Sequence, residues 1–206
     1  MWETVEHVLE GEDEVHEEGE KYLPRLSGQS NQEYMAYVMR TPFYNATSRT
    51  RDGLLGMIFR KAPTVTPTAG MQAILDDMTL DNTGIDELAE RITSELLGVG
   101  RMGLLVEYPK PIDGVVTLAD ASANNLRPYV TTYDAEQIIN WRLERINNVL
   151  QPIMIALKEE ICVYENEFES SEVEQIRVLI LREGNYQQEV YRELKDDKGN
   201  KSWVLV

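Results

Sequence analysis

The chain has 206 residues, 42% of them hydrophobic and 27% charged, enough apolar material for a sizeable core and too much for wholesale disorder. Its 36 Asp and Glu against 20 Lys and Arg give a formal charge of −16, a balance that opposes nonspecific attraction to nucleic acid or anionic membrane. No apolar run approaches the roughly 18 residues that span a bilayer, the N-terminus has neither the basic flank nor the apolar segment of a signal peptide, and the single cysteine, Cys162, excludes an intrachain disulfide. A soluble, non-exported protein of a reducing compartment is the expectation.

Residues 1–20 hold nine acidic residues and no Lys or Arg. They read as an acidic arm, with a thin apolar edge of Val5, Val8 and Leu9 on a short helix over 2–9. After a loop at 23–28, Ser30 and Glu33 in Ser-Asn-Gln-Glu form a capping box that starts a helix running to about Arg40. Thr41-Pro42 is expected to cap a second helix, with Pro at its first position where a missing N–H costs nothing. Phe43, Ala46, Thr50, Leu54, Met57 and Ile58 recur at helical spacing and predict a core-facing stripe down to Arg60, stopped by Pro63.

Residues 62–67 are extended, because Pro63 and Pro67 bias the residues before them toward β geometry. A short helix is expected around 69–77. Asp81-Asn82-Thr83-Gly84 is a turn and N-cap leading into Ile85, Leu88, Ala89, Ile92 and Leu96 at helical spacing, with Gly98 and Gly100 as terminators. Residues 102–108 form a continuous apolar run with the length of a buried strand, closed by Pro109 and Pro111. Asp113-Gly114 marks a turn, and 117–125 reads as helix.

From Arg127 the periodicity changes to strands. Residues 129–133 are extended, 134–137 form one helical turn, and 138–144 and 150–164 alternate about Asn147-Asn148, a good tight-turn pair. Segments 175–182, 187–194 and 201–206 follow, separated by Glu183-Gly184-Asn185 and Asp196-Asp197-Lys198-Gly199-Asn200. That is an antiparallel meander. Helices first and sheet second make an α+β fold, divided as an acidic arm (1–21), a helical region with one buried strand (22–126) and a β meander packed on it (127–206).

Three segments in order carry a resemblance: Tyr22-Leu23-Pro24-Arg25 with Arg49-Thr50-Arg51-Asp52-Gly53-Leu54-Leu55-Gly56-Met57-Ile58-Phe59-Arg60-Lys61-Ala62-Pro63, then 100–109, then Arg127-Pro128-Tyr129 with Ile138-Ile139-Asn140-Trp141-Arg142. Over 22–142 the chain resembles the N-terminal, wing part of portal-like proteins of tailed bacteriophages. The resemblance implies a structural virion component and no enzyme: a homo-oligomeric ring, usually of twelve copies, at one capsid vertex. Double-stranded DNA passes through such a ring without specific binding, and terminase and neck or tail proteins dock on it. Assembly in the bacterial host cytoplasm, no membrane and no cofactor are implied with it. Portal proteins are commonly more than twice this length, so the part that lines the narrow channel is expected to be absent here.

Chemistry is sparse. Gly98-Val99-Gly100-Arg101-Met102-Gly103 spells the dinucleotide fingerprint, but with a helix before it and a strand after, the reverse of the context that brings pyrophosphate to a helix N-terminus. It reads as a helix stop. His7 and His16 lie among Glu6, Glu10, Glu12, Asp13, Glu14, Glu17 and Glu18 without the spacing of a defined metal site. Asp76, Asp77 and Asp81 are better explained as helix-terminal and turn residues than as a nuclease-like set, because neighbours on a helix do not converge. Trp141 reads as a sheet-core aromatic, and Cys162 as a small strand residue.

Arg40, Arg49, Arg51, Arg60 and Lys61 form the only basic cluster, with Asp52 the one acid among them. Arg49 and Arg60 share a helix face and Arg51 lies far round from it. The cluster is a candidate contact for an acidic neighbour subunit or for DNA, against a solvated face with internal ion pairs. Two rivals to the structural reading stay open: an acidic α+β adaptor domain that binds a basic protein, and a metal-dependent hydrolase acting through carboxylates.

Overall fold

The helix ends written into the sequence set the architecture of the first half of the chain. We describe it from a computed structural model covering residues 2–68, 70–109, 117–164, 166, 169–195 and 201–206. The elements run α1 (Trp2–Glu10), α2 (Glu12–Glu17), a 3-10 turn (Gly19–Lys21), α3 (Asn31–Val38), α4 (Ala46–Ile58), α5 (Gln72–Asp76), α6 (Ile85–Gly98), β1 (Gly103–Glu107), α7 (Leu118–Ala123), β2 (Tyr129–Tyr133), β3 (Ile138–Ile146), β4 (Val149–Tyr164), β5 (Ser170–Arg182), β6 (Asn185–Lys195) and β7 (Lys201–Leu205). The fold is α+β, helices first and an antiparallel sheet second. The chain divides into two compact units, Met1–Thr132 and Tyr133–Val206.

In the first unit, α3 begins at the expected capping box. The Glu33 N–H reaches Ser30 Oγ at 3.3 Å and the Ser30 N–H reaches Glu33 Oε2 at 2.9 Å, so two orphan donors are satisfied reciprocally. Loop 22–28 folds against this helix: Leu23, Tyr34 and Val38 form one buried cluster, and the Tyr34 hydroxyl donates to the Leu23 carbonyl at 3.0 Å.

The next helix starts four residues later than Thr41-Pro42 suggests. Thr41 closes α3 instead, its hydroxyl donating to the Tyr37 carbonyl at 2.8 Å. Asn45 then caps α4, its Oδ1 accepting from the Ser48 N–H at 2.8 Å while its Nδ2 donates to the Leu9 carbonyl at 3.2 Å. The Phe43 N–H goes to Glu12 Oε2 at 3.0 Å, which holds the connection extended against the N-terminal helices.

Where the sequence reads an acidic arm, the chain folds into α1 and α2. Helix α1 packs on α2, α4 and α6, and Leu9 of α1 and Val15 of α2 are buried. The Arg101 guanidinium lies over the Trp2 ring at 4.2 Å. Lys21 and Arg25 supply the countercharge: Lys21 Nζ is 2.8 Å from both Glu3 and Glu18, and Arg25 is 3.0 Å from Glu20. The helix axes come close at Gly98, where a Cβ would stand 2.6 Å from Leu9 Cδ1.

The strand at 103–107 is present but is not buried as its apolar run predicts. Among the described residues it pairs with β2 alone, and its side chains alternate between half-buried and exposed, with Leu104 and Val106 on the open side. Helix α7 begins at a second capping box, Thr117 with Asp120. The turns expected at 113–114 and 196–200 lie outside the described residues.

The second unit is one five-stranded sheet in sequence order, β3-β4-β5-β6-β7, with every pair antiparallel. Asn147 and Asn148 take φ of +50° and +66°, and Glu183 and Gly184 take +51° and +81°. Positive φ at both central residues is the geometry whose twist matches the flanking strands, and Asn and Gly tolerate it best. Residues 134–137 make a hydrogen-bonded turn rather than a helical one: the Asp134 N–H donates to Gln137 Oε1 at 2.8 Å, and the Gln137 carbonyl accepts from the Lys158 N–H at 2.7 Å. Trp141 is not a core aromatic. It sits on the outermost strand and is 51% exposed, because no second layer covers that strand within the unit.

The Gly98 approach is testable. We expect Gly98→Ala to destabilise the protein by about 1 kcal/mol despite better helix propensity, through overpacking against Leu9. Leu9→Ala alone should cost about 2–3 kcal/mol. The double variant should cost less than the sum when unfolding in urea is followed by circular dichroism; strict additivity would mean that the two residues do not meet.

Candidate interaction surface

The apolar stripe of α4 does not face a core. No residue of the helix is buried, and Leu54, Met57 and Ile58, which share one face at helical spacing, are exposed, Met57 at 66%. Gly53 and Gly56 lie in the same stretch with nothing within 4 Å of where a Cβ would stand. The helix contacts α1 and α6, and its half-buried residues Arg51 and Leu55 run along the edge of the exposed stripe. Periodicity marks a stripe but not what covers it.

The five basic residues are not gathered into one site. Arg40 donates through Nε to the Ala36 carbonyl of its own helix at 2.8 Å and lines a concavity of about 870 Å³ with Leu26, Ala36 and Tyr37. The Arg49 guanidinium lies over the exposed Tyr44 ring at 4.9 Å. Arg51 turns inward: it bonds Asp52 at 2.9 Å and Ser48 at 3.3 Å, and lines a cavity of about 450 Å³ with Glu6, Glu10 and Glu95. Arg60 and Lys61 are exposed just past the end of α4, where the helix dipole favours cations. Arg40, Arg49, Arg60 and Lys61 are thus exposed, and Arg60 and Lys61 follow directly after the stripe in the chain.

The other candidates resolve into structure. Gly98 ends α6 and Gly103 begins β1, so the glycine run follows a helix and precedes a strand. Asp77 accepts from Arg127 Nη2 at 2.6 Å, Asp76 accepts from Gln72 at 2.7 Å, and Asp81 accepts from Thr79 and the Thr83 N–H. The three carboxylates are thus committed to separate partners. Arg127 also reaches the Asp77 carbonyl at 2.5 Å, tying the start of β2 to the loop after α5.

Folding does bring His7, Glu14 and Glu18 together, with ligand atoms within 4.8 Å of one another. Spacing in the sequence does not show this, because α1 and α2 are separate helices that fold back on each other about Gly11, at φ +115°. The cluster already contains a cation. Lys21 Nζ bonds Glu18 and Glu3, which push its pKa well up, and the hydrogen bond from Lys21 holds the Glu3 carboxyl low. The Tyr22 hydroxyl lies 2.8 Å from His7 Nδ1. These contacts knot the first twenty-two residues together.

The densest polar group in the second unit was not apparent from the sequence. Glu159 of β4, its side chain 12% exposed, accepts from Arg177 Nε and from the Tyr133 hydroxyl at 2.6 Å each, and from Gln175 Nε2 at 2.5 Å. Arg192 Nε in turn donates to Gln175 Oε1 at 3.0 Å. The only sequence signal is a charge inside otherwise apolar strands; which strands meet is decided by register, Glu159 facing Gln175 and Gln175 facing Arg192. Burial acts to raise the Glu159 pKa, but the Arg177, Tyr133 and Gln175 bonds outweigh it and hold it low. The network pins the residues entering the sheet to its second strand.

The sequence was compared with protein-family models and with curated proteins, and it matches none of them.

Because the folded pKa of Glu159 lies below the ordinary 4.5, its contribution is fully present above pH 4.5 and is lost as pH falls through the lowered value. We expect unfolding stability to drop across that window. In Glu159→Gln, stability near neutral pH should fall by about 1–3 kcal/mol, and this part of the pH slope should vanish. Unfolding curves collected at a series of pH values check both, and an unchanged slope would remove Glu159 from the account.

Proposed function

We propose that this chain is a subunit of a portal-like head-to-tail connector of a tailed bacteriophage or prophage, a non-catalytic virion component built by self-assembly. The observation that carries the reading is the exposed Leu54, Met57 and Ile58 stripe on α4, with Arg60 and Lys61 exposed just past its end and Arg49 exposed on the same helix. A helix patterned for burial but left uncovered by its own chain fits a protein completed by its neighbours. The same segment, 49–63, carries part of the resemblance to portal-like proteins.

The partner that suits this face is another copy. Glu10, Asp13 and Glu17 are exposed and make no salt bridge among the described residues, so the N-terminal helices offer an acidic counterpart to the cations of α4. A contact between two different patches of identical chains is heterologous and closes a ring when its rotation allows. The net charge of −16 suits a conduit that lets DNA pass without holding it. In this reading the ring is assembled in the host cytoplasm, carries terminase during packaging and neck or tail proteins afterwards, and needs no cofactor. An acidic adaptor domain would use the same face on a foreign protein.

Negative-stain images and mass photometry of the purified chain separate these readings. Rings are expected. Met57→Glu, or Arg49→Glu with Arg60→Glu, should disperse them, and rising salt should weaken the wild-type ring. A monodisperse monomer at every concentration would overturn the connector reading in favour of the adaptor.

A further inference from the structure

The outermost strand β3 is open along its whole middle. Ile139 to Arg145 are all exposed, whichever face of the sheet they point to, and among the described residues β3 has a partner on one side only. The turn at Asn147-Asn148 makes Ile146 and Val149 the hydrogen-bonded pair that closes the hairpin. Counting back in steps of two, the N–H and C=O groups of Leu143 and Arg145 point away from β4. Pro152 stands opposite Leu143, a non-hydrogen-bonded site that needs no N–H directed at β3. The strand therefore presents a pairing edge, although its register against β4 shifts between Ile138 and Asn140 and again between Arg142 and Leu143, where β4 carries the extra residue Ile153. Such edges are ordinarily blunted by charges that repel a second strand.

Here the charges match instead. Two copies of β3 laid antiparallel about Leu143 place Arg142 of each opposite Glu144 of the other, on one face of the sheet. On the other face Leu143 meets its own copy and Trp141 stands opposite Arg145. Leu143, whose polar groups point outward, then falls at a pair that exchanges both backbone bonds, and Arg142 with Glu144 falls at a closely spaced pair, where side chains approach best. Neither Arg142 nor Glu144 has a salt-bridge partner in its own chain among the described residues.

We infer that the β3 edge is a two-fold self-association site, at which residues 141–145 of two copies pair antiparallel and join two five-stranded sheets into one. The contact is isologous, so it is separate from the head-to-tail contact of a ring and does not rest on the connector reading. Sedimentation velocity on the full chain tests it by charge exchange. Arg142→Glu alone, or Glu144→Arg alone, sets like charges opposite each other twice across the two-fold axis and should weaken this dimer by about tenfold or more. Combining the two substitutions restores opposite charges and should bring the dissociation constant back to within about threefold of wild type. Both positions are exposed, so circular dichroism should report an unchanged fold. Absence of the dimer, single reversals without effect, or a double reversal that fails to rescue would each overturn the inference. None of these results depends on Arg49, Arg60 or Met57, whose variants report on the ring.

Discussion

A sheet needs a second layer, and the second unit of this chain is a single sheet. Five strands in simple succession satisfy one another's backbone groups, but each face keeps apolar side chains that nothing within the unit covers. Domains normally close by packing two layers around one core. With one layer, the sheet is held by its ladders and by cross-strand side-chain contacts, and the exposed Trp141, Leu143, Val149 and Leu150 remain as surface. The same condition recurs in the first unit at α4 and at β1. The molecule is organised around faces left open, and both its assembly readings come from that shortage of cover.

What stability the sheet lacks in buried apolar area it partly recovers through polar contacts. Glu159 accepts from Arg177 and Gln175 on the neighbouring strand β5 and from Tyr133 at the end of β2, and these three donors offset the cost of burying its carboxylate. Such a group specifies register, since a one-residue slip would carry Arg177 and Gln175 to the opposite face. Lys158 with Glu174 does the same on the other side at 2.5 Å. In the helical unit the corresponding device is the knot of Lys21, Glu3, Glu18, His7 and Tyr22, which lets a strongly acidic N-terminus fold back instead of standing free.

Charge therefore works at two ranges. Over the whole chain an excess of 16 negative charges keeps copies apart and weakens attraction to phosphate. Several cations are held in ion pairs within the chain, but some stand at openings: Arg60 and Lys61 just past the bare stripe of α4, and Arg142 and Arg145 along the bare edge of β3. A contact formed at such a place gains opposite charge as well as apolar cover, so association is confined to particular geometries.

Much of the fold was readable in order along the chain. Capping boxes at Ser30–Glu33, the Gly98 and Gly100 stop, and the turns at Asn147-Asn148 and Glu183-Gly184 are determined by interactions spanning a few residues, which the sequence states directly. The start of α4 was misplaced because Thr41 bonds backward to Tyr37 and Asn45 bonds to Leu9, a contact with a helix thirty-six residues away. Periodicity showed that α4, β1 and β3 carry apolar faces, and tertiary structure alone decided that these faces are open. Whether an apolar face is covered depends on elements distant in sequence, and so does the meeting of Glu159 with Arg177 or of His7 with Glu18. Local propensity and spacing hold no record of either, because both are settled by which surfaces the folded chain brings together.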